Sequence, residues 1–235
     1  MNEFWESDLP VGYYDKVLIS GLRKNKGIQA NWHNLTFSKV RQYIEKDDLH
    51  LDYACGPGTF IGNYNLNNSI GVDISSKQID FANQKYFDKG DFFILDDMPL
   101  NKKKYDSITI IGLLEFLNEN ESIDVLNFLY SILNKNGKLI LTTPNYSLFM
   151  YLLEKILNMF GPINYKNQHI NRLNRNKLNN IIKQTNFKKV KIKKIVNASV
   201  FLSFISISFA NKFEIIIEKF FQNKFGFILL GILKK

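Results

Sequence analysis

Apolar positions along the chain switch between two periods. At Phe37, Val40, Tyr43 and Ile44 they fall three, three and one apart, the pitch of a helix face, which predicts a helix over residues 36–46. Residues 49–53 then read as a strand, and SIGVD at 69–73 as a second. Ser75 or Ser76 is placed to cap a helix through about Tyr86, with Ile79, Ala82 and Tyr86 inward. FFIL at 92–95 and DSITII at 106–111 suit a third and a fourth strand. Ile123, Leu126, Leu129, Ile132 and Leu133 form a helical stripe that Asn136-Gly137 closes, and KLILTT at 138–143 reads as a fifth strand stopped by Pro144. Strands alternating with helices at this spacing predict an α/β fold: a mostly parallel sheet with helices on both faces.

The second half has a different texture. Residues 147–160, SLFMYLLEKILNMF, are apolar almost all round. Asn174 can cap a helix with Leu178, Ile181, Ile182 and Thr185 inward. In FKKVKIKKIV the lysines at 189, 191 and 193 alternate with Val190 and Ile192, as in an edge strand with one solvated face. VFLSFISISF leads into a helix with Phe209, Phe213, Ile216, Ile217 and Phe220 on one stripe, and FGFILLGILKK ends the chain as a last strand. No internal repeat or long linker divides the chain, so residues 1–235 read as one domain in three parts, 1–47, 48–145 and 146–235, the last carrying the apolar insertions. The apolar runs fall short of the ~20 residues that span a bilayer.

Composition narrows the picture. The formal charge of +9 favours a phosphate-bearing or acidic partner or an anionic membrane surface, without choosing among them. A single cysteine, Cys55, leaves no intrachain disulfide framework and no cysteine-based zinc cluster; a small buried thiol is the simple reading. The N-terminus lacks the basic and apolar regions of a signal peptide, which points to a cytoplasmic protein.

The chemistry concentrates at LDYACGPGTF, residues 51–60. In an open parallel sheet ligands bind beyond the carboxyl ends of the strands, and a glycine turn there lets backbone approach a ligand with no Cβ in the way. A dinucleotide fingerprint would require a third glycine where Ile61 stands, and no Gly-Lys-Ser/Thr of a P-loop is present. Asp73 ends the next strand, placed to accept hydrogen bonds from ribose hydroxyls.

With YDSITIIGLLEFL, LNKNGKLILTTPN and HINRLNRNKLNNIIKQTNF following in order, the chain resembles the class I S-adenosylmethionine-dependent methyltransferases. It looks most like their small-molecule and glycan-lipid branch, related to ubiquinone-pathway O-methyltransferases. The resemblance implies a Rossmann-like seven-stranded, mostly parallel sheet with the last strand antiparallel. It implies S-adenosylmethionine as cofactor and S-adenosylhomocysteine as product. Carried over by position, it sets Asp52, Ala54, Gly56 and Gly58 along the methionine and ribose part of the cofactor. Asp73 would hold the ribose diol and Ile74 would lie against the adenine; Asp96 or Asp97 would meet the adenine amino group beside Met98, and Ile111 to Leu113 would lie under the sulfonium. Two departures stand out: Ala54 replaces a usual glycine, and Phe116 a usual histidine.

His169 falls in the patch that resembles the family's H-x-R segment and is the candidate base, with Tyr165 an alternative hydroxyl. His33 fits a lid or a packing role, and His50 belongs to the first strand as a structural residue. No metal is demanded. TTPN at 142–145 follows the fifth strand, unlike the fourth-strand N-P-P-Y motif of amino-methylating nucleic-acid enzymes, so the expected acceptor is a small-molecule, glycan or lipid-linked hydroxyl rather than nucleic acid. The apolar stretches at 147–160 and 199–221 fit core, a dimer face or peripheral contact with a membrane. An RNA methyltransferase and a non-catalytic cofactor- or partner-binding module of the same fold are the rival readings.

Overall fold

The computed structural model describes residues 9–147, 150–151, 153–154, 168–221 and 224–235. Tyr165 and most of the apolar run 147–160 lie outside the described residues. Seven strands form one sheet: β1 (His50–Tyr53), β2 (Ser69–Asp73), β3 (Asp91–Ile94), β4 (Tyr105–Ile111), β5 (Leu133–Pro144), β6 (Lys189–Ile195) and β7 (Ile228–Lys234). Their order is β3-β2-β1-β4-β5-β7-β6. The β1–β2, β2–β3, β1–β4 and β4–β5 pairs are parallel, and β7 runs antiparallel to both neighbours. This is the Rossmann-like arrangement with an antiparallel last strand. The chain winds outward from β1 in both directions, so a crevice opens where β1 meets β4.

Alternation along the central strands explains the two layers. Leu139 and Leu141 of β5 face one side and Ile140 the other, since successive side chains of a strand point to opposite faces. The first side packs on α5 (Glu119–Ile132) and α6 (Arg175–Lys183) through Leu126, Leu129, Leu178 and Ile181. The second packs on α1 (Tyr13–Lys24), α2 (Ile28–Arg41), α3 (Thr59–Asn63) and α4 (Ser76–Lys85) through Leu18, Val40, Phe60 and Ile79. Helix α5 starts at a capping box, with Asn118 and Glu121 each accepting from the other's backbone N–H, and Asn174 caps α6 through the N–H groups of Asn176 and Lys177.

Two elements depart from the sequence reading, and a third resolves an alternative it left open. The helix expected at 36–46 is α2, eight residues earlier at its start and ending at Arg41. The apolar spacing continues past that end because Tyr43 and Ile44 donate to Val40 and Arg41 in tight turns, and the Arg41 guanidinium caps the Ile44 carbonyl at 2.6 Å. The fifth strand begins at Leu133 rather than 138: Tyr105 pairs Leu133 and Ser107 pairs Lys138, so residues 134–137 loop out of the ladder. Helix α7 (Ile207–Phe221) forms as expected, and its phenylalanine stripe, left open between core, dimer face and membrane contact, does not face the core. Ile207, Ala210 and Glu214 face inward, while Phe209, Phe213, Ile216 and Phe220 are exposed.

Candidate active site

The β1–α3 turn is built on left-handed backbone. Ala54, Gly56 and Gly58 have φ of 63°, 53° and 69°. Glycine adopts this region freely; a residue with a Cβ pays about 1–2 kcal/mol, so Ala54 is a strained version of a position where glycine fits. The turn is tied to β2. Cys55 N–H donates to the Val72 carbonyl at 3.0 Å, and Gly56 N–H donates to Asp73 Oδ2 at 2.8 Å. The other Asp73 oxygen accepts from Ser75 N–H at 2.9 Å. The Asp73 carboxylate is thereby fixed at the end of β2, facing the turn.

Beneath the turn runs a buried polar chain. Thr109 on β4 donates its hydroxyl to Asp52 Oδ1 at 2.6 Å, and His50 Nε2 lies 2.9 Å from the same hydroxyl oxygen. A hydroxyl spending its proton on Asp52 must accept from the imidazole, so Nε2 carries the proton and Nδ1 accepts from Ser69 Oγ at 3.0 Å. Burial, with Arg41 adding to it, lowers the His50 pKa to about 3, so the ring is neutral and orients Asp52 without charge. Burial raises the Asp52 pKa to about 7; the Thr109 hydrogen bond opposes this and the nearby Asp73 charge adds to it.

These groups open onto a cavity of about 890 Å³ at the carboxyl ends of β1, β2, β4 and β5. Asp52, Ala54, Gly56, Asp73, Ile74, Ile111, Leu113 and His169 all line it, and so are brought together. Gly58, Asp96, Asp97 and Met98 do not line it. Gly58 instead packs against Phe92 and Ala82, and both aspartates are exposed on the 95–97 turn. Cys55 is buried at the turn, its thiol pKa pushed well up by burial and by the Asp73 and Asp52 charges, which keeps it a thiol.

The cavity is also lined by His169, which stands in a polar cluster. Its Nδ1 lies 2.7 Å from Tyr146 Oη and 3.3 Å from Glu154 Oε1, and Arg172 Nη2 approaches the same Glu154 oxygen at 3.5 Å. Nδ1 is thus held between a phenol and a carboxylate, and the tautomer follows from which of the two it bonds. Burial lowers the His169 pKa while Glu154 opposes it, so the ring is a neutral acid–base group at physiological pH. Phe116 stacks at a tilt against the His169 ring with centroids 5.1 Å apart.

The sequence reading missed much of the wall. Tyr13, Tyr14, Trp32 and Phe37 of α1 and α2 close one side. His33 lies between Tyr14 and Phe37, and burial lowers its pKa to about 4, which makes it an aromatic wall residue. Glu115 is the larger omission. It is 4 % exposed in an otherwise apolar part of the wall, accepts from Thr143 Oγ1 at 3.2 Å, and has its pKa raised to about 7 by burial. Its signal was present only as the glutamate of LLEF.

The donor set suits a nucleoside carrying a polar amino-acid tail. A Cβ on Gly56 would meet nothing within 4 Å, so its backbone is open to close approach. The Thr59 hydroxyl lines the cavity, buried, with no partner among the described residues. The carboxylates of Asp52, Asp73 and Glu115 are set in a lining that is otherwise mostly apolar.

The profile of the methyltransferase-domain family matches residues 30–192. No curated protein matches the chain. Among solved structures, a SAM-dependent methyltransferase from Archaeoglobus fulgidus superposes with a TM-score of 0.61 at 23 % identity, covering 86 % of this chain and 94 % of that one. Magnesium protoporphyrin IX methyltransferase from Synechocystis, with bound S-adenosylhomocysteine, gives 0.56 at 16 %, covering 95 % and 98 %. A plantazolicin methyltransferase in complex with S-adenosylhomocysteine gives 0.60 at 18 %, covering 100 % and 93 %.

Proposed function

The chain belongs to the methyltransferase-domain family, and from that premise we propose that it transfers a methyl group from S-adenosylmethionine to the hydroxyl of an apolar small-molecule, glycan or lipid-linked acceptor. The observation that carries the reading is one cavity lined both by Asp52, Gly56 and Asp73 of the turn and by His169. The Asp73 carboxylate is the group to hold the ribose diol, Ile74 lies against the base, and the turn from Ala54 to Gly56 with Asp52 lines the amino-acid end. Asp96 or Asp97 and Met98 would meet the adenine edge only from outside the wall of this cavity. When bound, S-adenosylmethionine supplies a methyl group made electrophilic by its sulfonium.

The rest falls to the protein. Ile111, Leu113 and Phe116 exclude water from the region between the turn and His169. His169 takes the hydroxyl proton, and Glu154 stabilises the imidazolium that results; a base of this kind is worth about 10²–10⁴-fold. Holding the acceptor in line contributes more, up to roughly 7–11 kcal/mol of the barrier. Trp32, Phe37, Met150, Leu153 and Phe201 make the acceptor side strongly apolar, which supports an apolar substrate over RNA, whose phosphates would need lysines and arginines there.

Methyl-labelled S-adenosylmethionine, incubated with separate lipid, glycan, small-molecule and RNA fractions, tests the reading. The expected result is label in an organic-soluble or glycan product, lost in His169→Gln while S-adenosylhomocysteine still binds. Label confined to RNA would contradict it.

A further inference from the structure

From residue 204 to residue 225 the surface is crowded with large apolar side chains. Phe204 is 67 % exposed and Phe220 75 %, and Ile205, Phe209, Phe213 and Ile216 are exposed between them. On α7, Phe209, Phe213, Ile216 and Phe220 succeed one another at intervals of four, three and four residues, a continuous stripe along the helix. Phe209, Phe213, Ile216 and Phe220 stay 40–75 % exposed, a surface that water penalises.

The charges of the same helix are sorted. Glu214 is buried and accepts from Asn197 N–H and Ser199 Oγ, which anchors the helix from beneath. Glu218 is bound to Lys39 of α2. Both carboxylates of α7 are thus engaged with the protein body. The cations point the other way. Lys212 and Lys219 are exposed, one turn before and one turn after Ile216, and so border the stripe. Lys224 is exposed just beyond the helix, and Lys26 of the α1–α2 turn sits over the Phe204 ring, 5.1 Å from its centroid.

We infer that α7 and the turn before it dock the protein on an anionic phospholipid surface, phenylalanines inserted among the acyl chains and lysines against headgroup phosphates. Charge selects this occupant. A second copy seated on the same face would set Lys212 and Lys219 against their own like charges, on chains that each carry +9. The helix has 15 residues and no described helix is long and apolar enough to cross a membrane, so α7 lies in the interface plane. The docked face adjoins the cavity: Phe201 lines it, and Phe204, three residues on, is exposed.

Sedimentation of the full chain with vesicles tests this, using equal parts phosphatidylcholine and phosphatidylglycerol against phosphatidylcholine alone. The protein is expected to pellet with the anionic vesicles and to be partly released by salt. Phe213→Asn/Phe220→Asn should weaken partition by about tenfold or more, and Lys212→Glu/Lys219→Glu should abolish the preference for phosphatidylglycerol. Neither pair lines the cavity, so S-adenosylhomocysteine binding and melting temperature should stay at wild-type values and show that the variants fold. Wild-type protein left in the supernatant with both vesicles would overturn the inference, as would unchanged partition of the phenylalanine variant. A dimer in ultracentrifugation that the phenylalanine variant dissociates would assign the face to a second copy instead.

Discussion

Replacing Glu115 by Gln isolates one buried charge. The carboxyl is 4 % exposed, and burial lifts its pKa from 4.5 to about 7 against the opposing hydrogen bonds of its own backbone N–H and Thr143. The folded protein therefore holds this proton more tightly than the unfolded chain. The stability it confers is fully present below pH 4.5 and is lost as pH rises through about 7. That span is about two and a half pH units, and at about 1.4 kcal/mol each the native state forfeits on the order of 3 kcal/mol. Glutamine keeps an oxygen for Thr143 to donate to but cannot ionise. Its NH₂, if unpartnered, costs about 1–3 kcal/mol at every pH alike. Urea unfolding of both proteins between about pH 4 and pH 8 should show the wild type losing ground to the variant as pH rises. Asp52 titrates in the same window with the same sign and cancels in the difference. Parallel stability curves would refute the reasoning, because they would mean that Glu115 ionises as readily in the fold as outside it.

The glycine turn should separate fold from site. Gly58→Ala places a Cβ 2.6 Å from the Phe92 ring on left-handed backbone, and should cost about 2–4 kcal/mol in thermal or urea unfolding. Gly56→Ala meets no protein atom within 4 Å, so its stability loss should stay near the 1–2 kcal/mol of backbone strain, while its methyl group enters the cavity and weakens S-adenosylhomocysteine binding in calorimetry. Thr109→Val removes the donor that holds the Asp52 pKa down, so the Asp52 carboxyl should titrate higher than the wild type by carbon NMR. Asn118→Ala deletes the α5 capping box and should lower stability by about 1 kcal/mol without altering ligand affinity.

The sheet was legible because its strands are short apolar runs separated by helical stripes and turn residues. The pairs Leu139/Leu141 and Ile140 already implied two covered faces, and Asp52 and Asp73 already marked two strand ends above a crevice. Other features depend on partners distant in sequence. Helix α1 buries Asp15, Leu18 and Gly21 rather than an apolar stripe, because Asp15 is met by Lys85 and Tyr86 of α4 and its C-terminal end. No periodicity discloses such a helix. The α7 stripe was legible as a stripe, but which side faces the core was decided by Glu214 finding Ser199 and Asn197. Glu115 was silent for the same reason: its distinction lies in being buried opposite Thr143, a contact across 28 residues.

The central claim is that the β1–α3 turn and Asp73 form the cofactor site of an S-adenosylmethionine-dependent methyltransferase. Calorimetric titration with S-adenosylhomocysteine, wild type beside Asp73→Ala, tests it most directly. The account predicts micromolar-range binding by the wild type and its loss in a variant that retains a folded circular dichroism spectrum. Wild-type protein that does not bind, or an Asp73→Ala variant that binds equally well, would contradict it.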